Sequence, residues 1–180
     1  RLEERVYMYL NGGNFGIGCN AIHLIDLFAF FTNETQLIID ASRLENKLSK
    51  SKRDGFVEFG GCLTVETLRG DLLTLVSHVG TDRPSIFHIA SSNHNYVIYP
   101  NLEKVFASHK KDNWNTIEDQ HITQFQSKLT NLAVQKILDT GKSDLTKIEE
   151  SFELHKPMLE AFIAHLEKLN GIIVLPLSIV

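Results

Sequence analysis

Between Gly55 and Pro100 the chain passes through the short apolar runs FVEF, CLTVETL, LLTLVSHV, SIFHIAS and YVIY, separated by the turn signals GG, RGD, GTDRP and SNHN. Runs this short cannot supply the three turns a helix needs, and β-branched and aromatic residues recur in them, so the stretch is β. Turns of a few residues join antiparallel neighbours, and a meander is the expected arrangement. A further strand is predicted over residues 35–43 (TQLIIDASR).

Helices flank this β region. Residues 19–31 form an apolar helix candidate, with positions 21, 22, 24, 25 and 27–31 all apolar, the pattern of a helix buried nearly all round. From Thr116 the period becomes helical: Ile122, Phe125, Leu129, Leu132, Ala133 and Ile137 recur behind Thr116-x-x-Asp119, which reads as a capping box. A second helix opens at Thr146-x-x-Glu149, meets Pro157 as a kink or break, and stops at Asn170-Gly171 before an apolar closing strand, IIVLPLSIV. Strands grouped together with helices on either side predict an α+β fold, an open, largely antiparallel or mixed sheet with helices packed on one face. At 180 residues and 43% hydrophobic content the chain is read as one domain over 1–180. It begins at Arg1, and a piece of a longer polypeptide is expected.

Composition removes several function classes. Eighteen basic against twenty-two acidic residues give a net charge of −4 with no basic stripe, so no nucleic-acid partner is expected. No apolar run reaches membrane-spanning length, and neither a secretory leader nor a membrane partner is expected. Two cysteines, Cys19 and Cys62, are too few for a disulfide framework, and a reducing, cytoplasmic setting is the expectation. They and the eight histidines form no ligand pair of zinc spacing, so no metal is assigned. Gly141-Lys142-Ser143 is not a phosphate loop, because Lys136 stands where the first glycine of that motif belongs. The glycines at 12, 13, 16 and 18 do not match the dinucleotide fingerprint, and no cofactor is expected in this chain.

The segment GGNFGIGCNAIHLID, residues 12–26, carries the chemistry. At about 100° per residue, Cys19, Asn20, His23 and Asp26 fall within an arc of about 120° on the helix. A polar stripe on a buried helix must be satisfied, and one account has His23 and Asp26 bonding each other or nearby backbone. The other has His23 facing a cleft and exchanging a proton with a substrate, with Asn20, Cys19 and Asp26 around it. Cys19 and His23 as nucleophile and base make a further reading, without an evident oxyanion site.

Gly12-Gly13, Ile17 and above all His23-Leu-Ile-Asp26-Leu27 resemble the G-G-x-L-x-D-x-G-x-H-x-x-D-L segment of the C-terminal domain of the glucose-fructose oxidoreductase and inositol dehydrogenase (Gfo/Idh/MocA) family. The order of later elements is similar too: an Arg69-Gly70-Asp71 turn, a helix around Phe125 to Gly141 like the family's F-x-x-A-I-x-x-G element, and a closing strand with Leu175-Pro176. The resemblance implies the substrate-side domain of an NAD(P)-dependent oxidoreductase acting on a sugar, polyol or sugar-nucleotide-like alcohol or carbonyl. It implies His23 as catalytic acid or base, Asn20, Cys19 and Asp26 as substrate-binding residues, and NAD or NADP for the full-length protein. The implied partners are an N-terminal Rossmann domain of the same polypeptide, absent from this chain, a small sugar-like substrate, and a second copy through the sheet face, to which Val57, Phe59, Leu63 and Val65 could contribute. Without the Rossmann domain the fragment is expected to be inactive. Between Ile17 and Leu27 two positions depart from the family pattern: Cys19 replaces its aspartate and Ala21 its glycine. A thiol orients an imidazole or a hydroxyl only weakly, which keeps open an alternative, a non-catalytic sugar-binding or oligomerisation module with the same fold.

Overall fold

Residues 7–13, for which the sequence pattern sets no expectation, form a central strand of the sheet. The computed structural model describes residues 3–51, 53–120 and 126–170. Strand β1 (Tyr7–Gly13) leads into helix α1 (Ile17–Thr32), β2 (Leu37–Leu44) and a small hairpin of β3 (Ser49–Lys50) and β4 (Val57–Glu58). Then come β5 (Gly61–Thr67), β6 (Leu72–His78), β7 (Ile86–Ala90), β8 (His94–Tyr99), β9 (Lys104–His109), β10 (Ile117–Gln120), α2 (Gln126–Thr140) and α3 (Ile148–Asn170).

Eight strands make one sheet in the order β10-β9-β8-β7-β1-β6-β5-β2, and β3 and β4 pair separately. Every neighbouring pair of the large sheet is antiparallel except β1 with β6, which run parallel with Tyr7 opposite Leu72 and Gly13 opposite His78. The expected meander is therefore split, because β1 enters between the consecutive strands β6 and β7. The connection from β6 to β7 must pass over the end of β1, and the glycine pair permits it. A Cβ on Gly12 would collide with Ser85 and one on Gly13 with the Thr81 carbonyl, while the Gly13 N–H donates to the Arg83 carbonyl at 2.8 Å.

The other end of β1 is held by Asp71, which is fully buried in the β5–β6 turn. Its Oδ1 accepts from the Val6 N–H at 2.7 Å, and its Oδ2 from the Thr67 hydroxyl at 2.6 Å. Arg69 closes the set with a forked pair, Nη2 to Oδ1 at 2.8 Å and Nε to Oδ2 at 2.9 Å. Burial pushes the carboxyl up, but hydrogen bonds from Arg69, Thr67 and the Val6 N–H outweigh it and hold Asp71 below the ordinary aspartate range. The RGD tripeptide is thus a sheet corner with its acid turned inward.

One face of the sheet carries the core. Met8 and Leu10, Leu63 and Val65, and Leu73 and Leu75 alternate inward. Upon them lie Ile17, Ala21, Ile25 and Phe28 of α1 and Leu154, Met158, Phe162 and Leu166 of α3, each set at helical spacing. Phe59 stacks on Phe162 with ring centres 4.8 Å apart. Phe59, Leu63 and Val65 therefore belong to the core rather than to an outward face, and Val57 lies in the separate hairpin. The α+β class agrees with the sequence reading, with α1 and α3 on one face of the sheet.

Four expectations need correction. Helix α1 is not buried all round, since Leu27 and Phe30 are exposed; the sheet covers only one side of it. Thr116-x-x-Asp119 caps no helix, because residues 117–120 pair with β9 as the edge strand β10. Helix α2 does not pack on the sheet: Leu129, Leu132 and Ile137 are exposed. Pro157 does not interrupt α3, which runs through it to Asn170. The closing strand predicted after Gly171, together with Ile122 and Phe125, lies outside the described residues. Among the described residues no helix is long and apolar enough to cross a membrane.

Replacing Asp71 by alanine removes a buried charge-assisted network, and a loss of about 2–4 kcal/mol is expected in denaturant unfolding. The pH dependence follows from the lowered carboxyl. Its contribution is full above the ordinary value of 3.8 and is lost as pH falls through the lower folded-state value. Acid titration of the wild type against Asp71→Asn, followed by circular dichroism, should give the wild type the steeper acid limb.

Candidate functional site

Helix α1 starts without a cap of its own. Gly16 occupies the N-cap at φ 75°, a left-handed conformation, and offers no side-chain acceptor. The unpaired amides of the first turn are met from another part of the chain: Glu58, at the end of β4, accepts the Gly18 N–H through Oε2 at 2.8 Å. A carboxylate suits the positive end of a helix. Burial pushes the Glu58 carboxyl above its ordinary value, opposed by hydrogen bonds from the N–H groups of Gly18, Phe59 and Cys19.

A cleft of about 470 Å³ opens at this end of α1, with Cys19 and Asn20 on the helix side and Ser49, Ser51 and Glu58 on the hairpin side. Cys19 is half-buried with a free thiol. Asn20 is exposed, and its amide donates back to the Phe15 carbonyl. His23 follows one turn further along the same arc, exposed to solvent and outside the lining of the cleft. Among the described residues it makes no hydrogen bond or ion pair, so the account in which His23 bonds Asp26 or nearby backbone does not hold for it. Asp26 is half-buried and accepts the Thr146 hydroxyl at 2.8 Å, which ties α1 to the approach to α3. That bond also takes the hydroxyl the sequence assigned to capping α3.

The structure thus brings Cys19 and Asn20 together at the cleft, leaves His23 accessible beside it, and commits Asp26 to a helix contact. Leu27 and Phe30, four and seven residues after His23, share its exposed stripe at 36% and 59% exposure. The arrangement presents an accessible imidazole with an apolar flank, next to a recess lined with hydroxyls, an amide, a carboxyl and the cations Lys50 and Arg53.

Glu58 is the residue that sequence reasoning missed. Its signal was a single acid inside the otherwise apolar run FVEF, where a charge needs a partner on the face it shares with the core. Gly16 is doubly constrained, because a Cβ there would also lie 2.9 Å from Glu58 Oε1. Gly16→Ala is expected to cost about 1–2 kcal/mol in denaturant unfolding, from left-handed strain and displacement of the capping carboxylate.

No protein-family model matches the chain, and no curated protein matches it by sequence. Solved structures do match it. A UDP-N-acetylglucosamine 3-dehydrogenase, GnnA from Acidithiobacillus ferrooxidans, superposes with a TM-score of 0.67 at 9% identity, over 93% of this chain and 55% of that one. The 3-ketoreductase KijD10 from Actinomadura kijaniata, solved with TDP-benzene and NADP, matches at 0.58 and 11% identity, over 88% of this chain and 52% of that one. A biliverdin reductase from Synechocystis, solved with biliverdin and NADP+, matches at 0.61 and 11% identity, over 94% and 56%. The chain spans about half the length of these structures. Its fold is that of the C-terminal domain of Gfo/Idh/MocA-type oxidoreductases.

Proposed function

We propose that this chain is the substrate-side domain of an NAD(P)-dependent oxidoreductase acting on an alcohol or carbonyl of a sugar, polyol or sugar nucleotide. The observation that carries the reading is His23, presented to solvent on α1 beside the cleft and flanked by uncovered Leu27 and Phe30. The nucleotide belongs to a Rossmann domain elsewhere in the parent polypeptide. The first turn of α1 already accommodates the Glu58 carboxylate, which would repel a pyrophosphate at the place where a helix otherwise attracts one. The nicotinamide, when bound, supplies hydride transfer. An alcohol that gives up a hydride must also lose its hydroxyl proton, and His23 takes that proton or returns it in the reverse direction. Leu27 and Phe30 exclude water where the two domains meet.

A second reading, a sugar-binding or oligomerisation module without redox chemistry, is favoured by Cys19, which supplies no carboxylate at its position. The readings part at His23. In the parent polypeptide, NADH or NADPH titration should saturate, and His23→Ala should lower turnover by roughly a hundredfold or more with nucleotide binding intact. Unchanged turnover in that variant would favour the module, and no nucleotide binding would remove the oxidoreductase reading.

The sheet face opposite the helices exposes Tyr7 and Tyr9, 48% and 38% accessible, near the middle of the sheet. A second copy stacked on this face makes a two-fold dimer. Light scattering is expected to give twice the chain mass, and Tyr9→Asp should return it to a monomer; a wild-type monomer at every concentration would rule the dimer out.

A further inference from the structure

We propose that Glu58 is a substrate-orienting residue of the cleft, accepting a hydroxyl of a sugar or polyol ring and supplying the carboxyl that position 19 lacks. This rests on the reading of the chain as a substrate-side domain. Three observations lead to it. Glu58 stands on the wall of a recess whose volume falls within the range of small-molecule sites, which Cys19, Asn20, Lys50 and Arg53 also line. The N–H groups of Gly18, Phe59 and Cys19 bond its carboxyl, while a carboxylate can accept about four hydrogen bonds in all, so room for one more donor remains. Its backbone is fixed, since the Ser49 hydroxyl donates to the Glu58 carbonyl at 3.2 Å across the β3–β4 pair.

Capping alone does not account for the placement. A helix is capped by a short polar side chain at its own N-cap, which costs no burial of charge. Here the acid comes from forty positions away in sequence and is half-buried at the edge of an open recess. Among the described residues it makes no ion pair. A ring hydroxyl is the complementary group: it donates to the carboxyl and can accept in turn from the Asn20 amide or the Ser51 hydroxyl, both of which line the same space.

The cleft contains its own reporter. Iodoacetamide alkylates Cys19 in the cleft and Cys62 on the far face of the sheet, so the ratio of the two rates, read by mass spectrometry, is internally controlled. The probes are myo-inositol, glucose and UDP-N-acetylglucosamine. At least one is expected to slow alkylation of Cys19 and leave Cys62 unchanged. Glu58→Gln, which keeps an oxygen for the Gly18 N–H, should need about tenfold more of that probe for equal protection, compared below the variant's own melting temperature. Should Glu58→Gln fail to fold, Glu58→Asp carries the same test, because it keeps the charge and withdraws it by one methylene. Equal protection in the wild type and the folded variant overturns the role of Glu58 and leaves the oxidoreductase reading standing. Absence of protection by all three probes in the wild type also overturns it, while the oxidoreductase reading still answers to the nucleotide titration of the parent polypeptide.

Discussion

A single buried carboxylate organises the molecule. Asp71 collects the Val6 amide, the Thr67 hydroxyl and the Arg69 guanidinium at one corner of the sheet. In doing so it joins the N-terminal segment to a turn 65 residues later. A charge with no solvent contact persists only when its hydrogen bonds are complete, so β1 has one place to start and one register against β6. The parallel pairing of Tyr7 with Leu72 follows from that anchor. From there the chain reaches the Gly12–Gly13 crossing and launches α1 across the core, so the position of His23 is set by a contact at the opposite end of β1.

The candidate site is assembled from two segments distant in sequence. Helix α1 brings Cys19, Asn20 and His23 but has no acceptor of its own for its first amides, and the hairpin brings Glu58 to fill that need. The same contact decides what the glycine-rich turn is for. A helix N-terminus with free amides attracts phosphate, whereas one already facing a carboxylate does not. Gly16 therefore serves backbone geometry and close packing with Glu58, and the stripe of His23, Leu27 and Phe30 stays exposed.

Much of this was legible in the residues. The alternation in CLTVETL and LLTLVSHV gave β5 and β6 with their buried Leu63, Val65, Leu73 and Leu75, because period two on a half-buried strand is a local pattern. The polar arc on α1 was legible for the same reason. The central strand was not: Tyr-Met-Tyr-Leu alternates aromatic and aliphatic residues, so both of its faces look apolar, and its partners lie more than sixty residues away. Thr116-x-x-Asp119 misled because a capping box and an edge strand share polar residues, and pairing with β9 decided between them. Leu27 and Phe30 misled because hydrophobicity marks a side chain that needs cover without saying which surface supplies it.

The sequence by itself determined the α+β class, the places of most strands and helices, and the grouping of Cys19, Asn20, His23 and Asp26 on one helical arc. Each of these depends on spacing within one element, where covalent geometry fixes the outcome. Only the tertiary structure decided that β1 lies between β6 and β7, that Asp26 turns to Thr146, and that Glu58 rather than a neighbour in sequence meets the start of α1. Those choices are made by burial and by the completion of hydrogen bonds between remote segments, and neither leaves a local pattern to read.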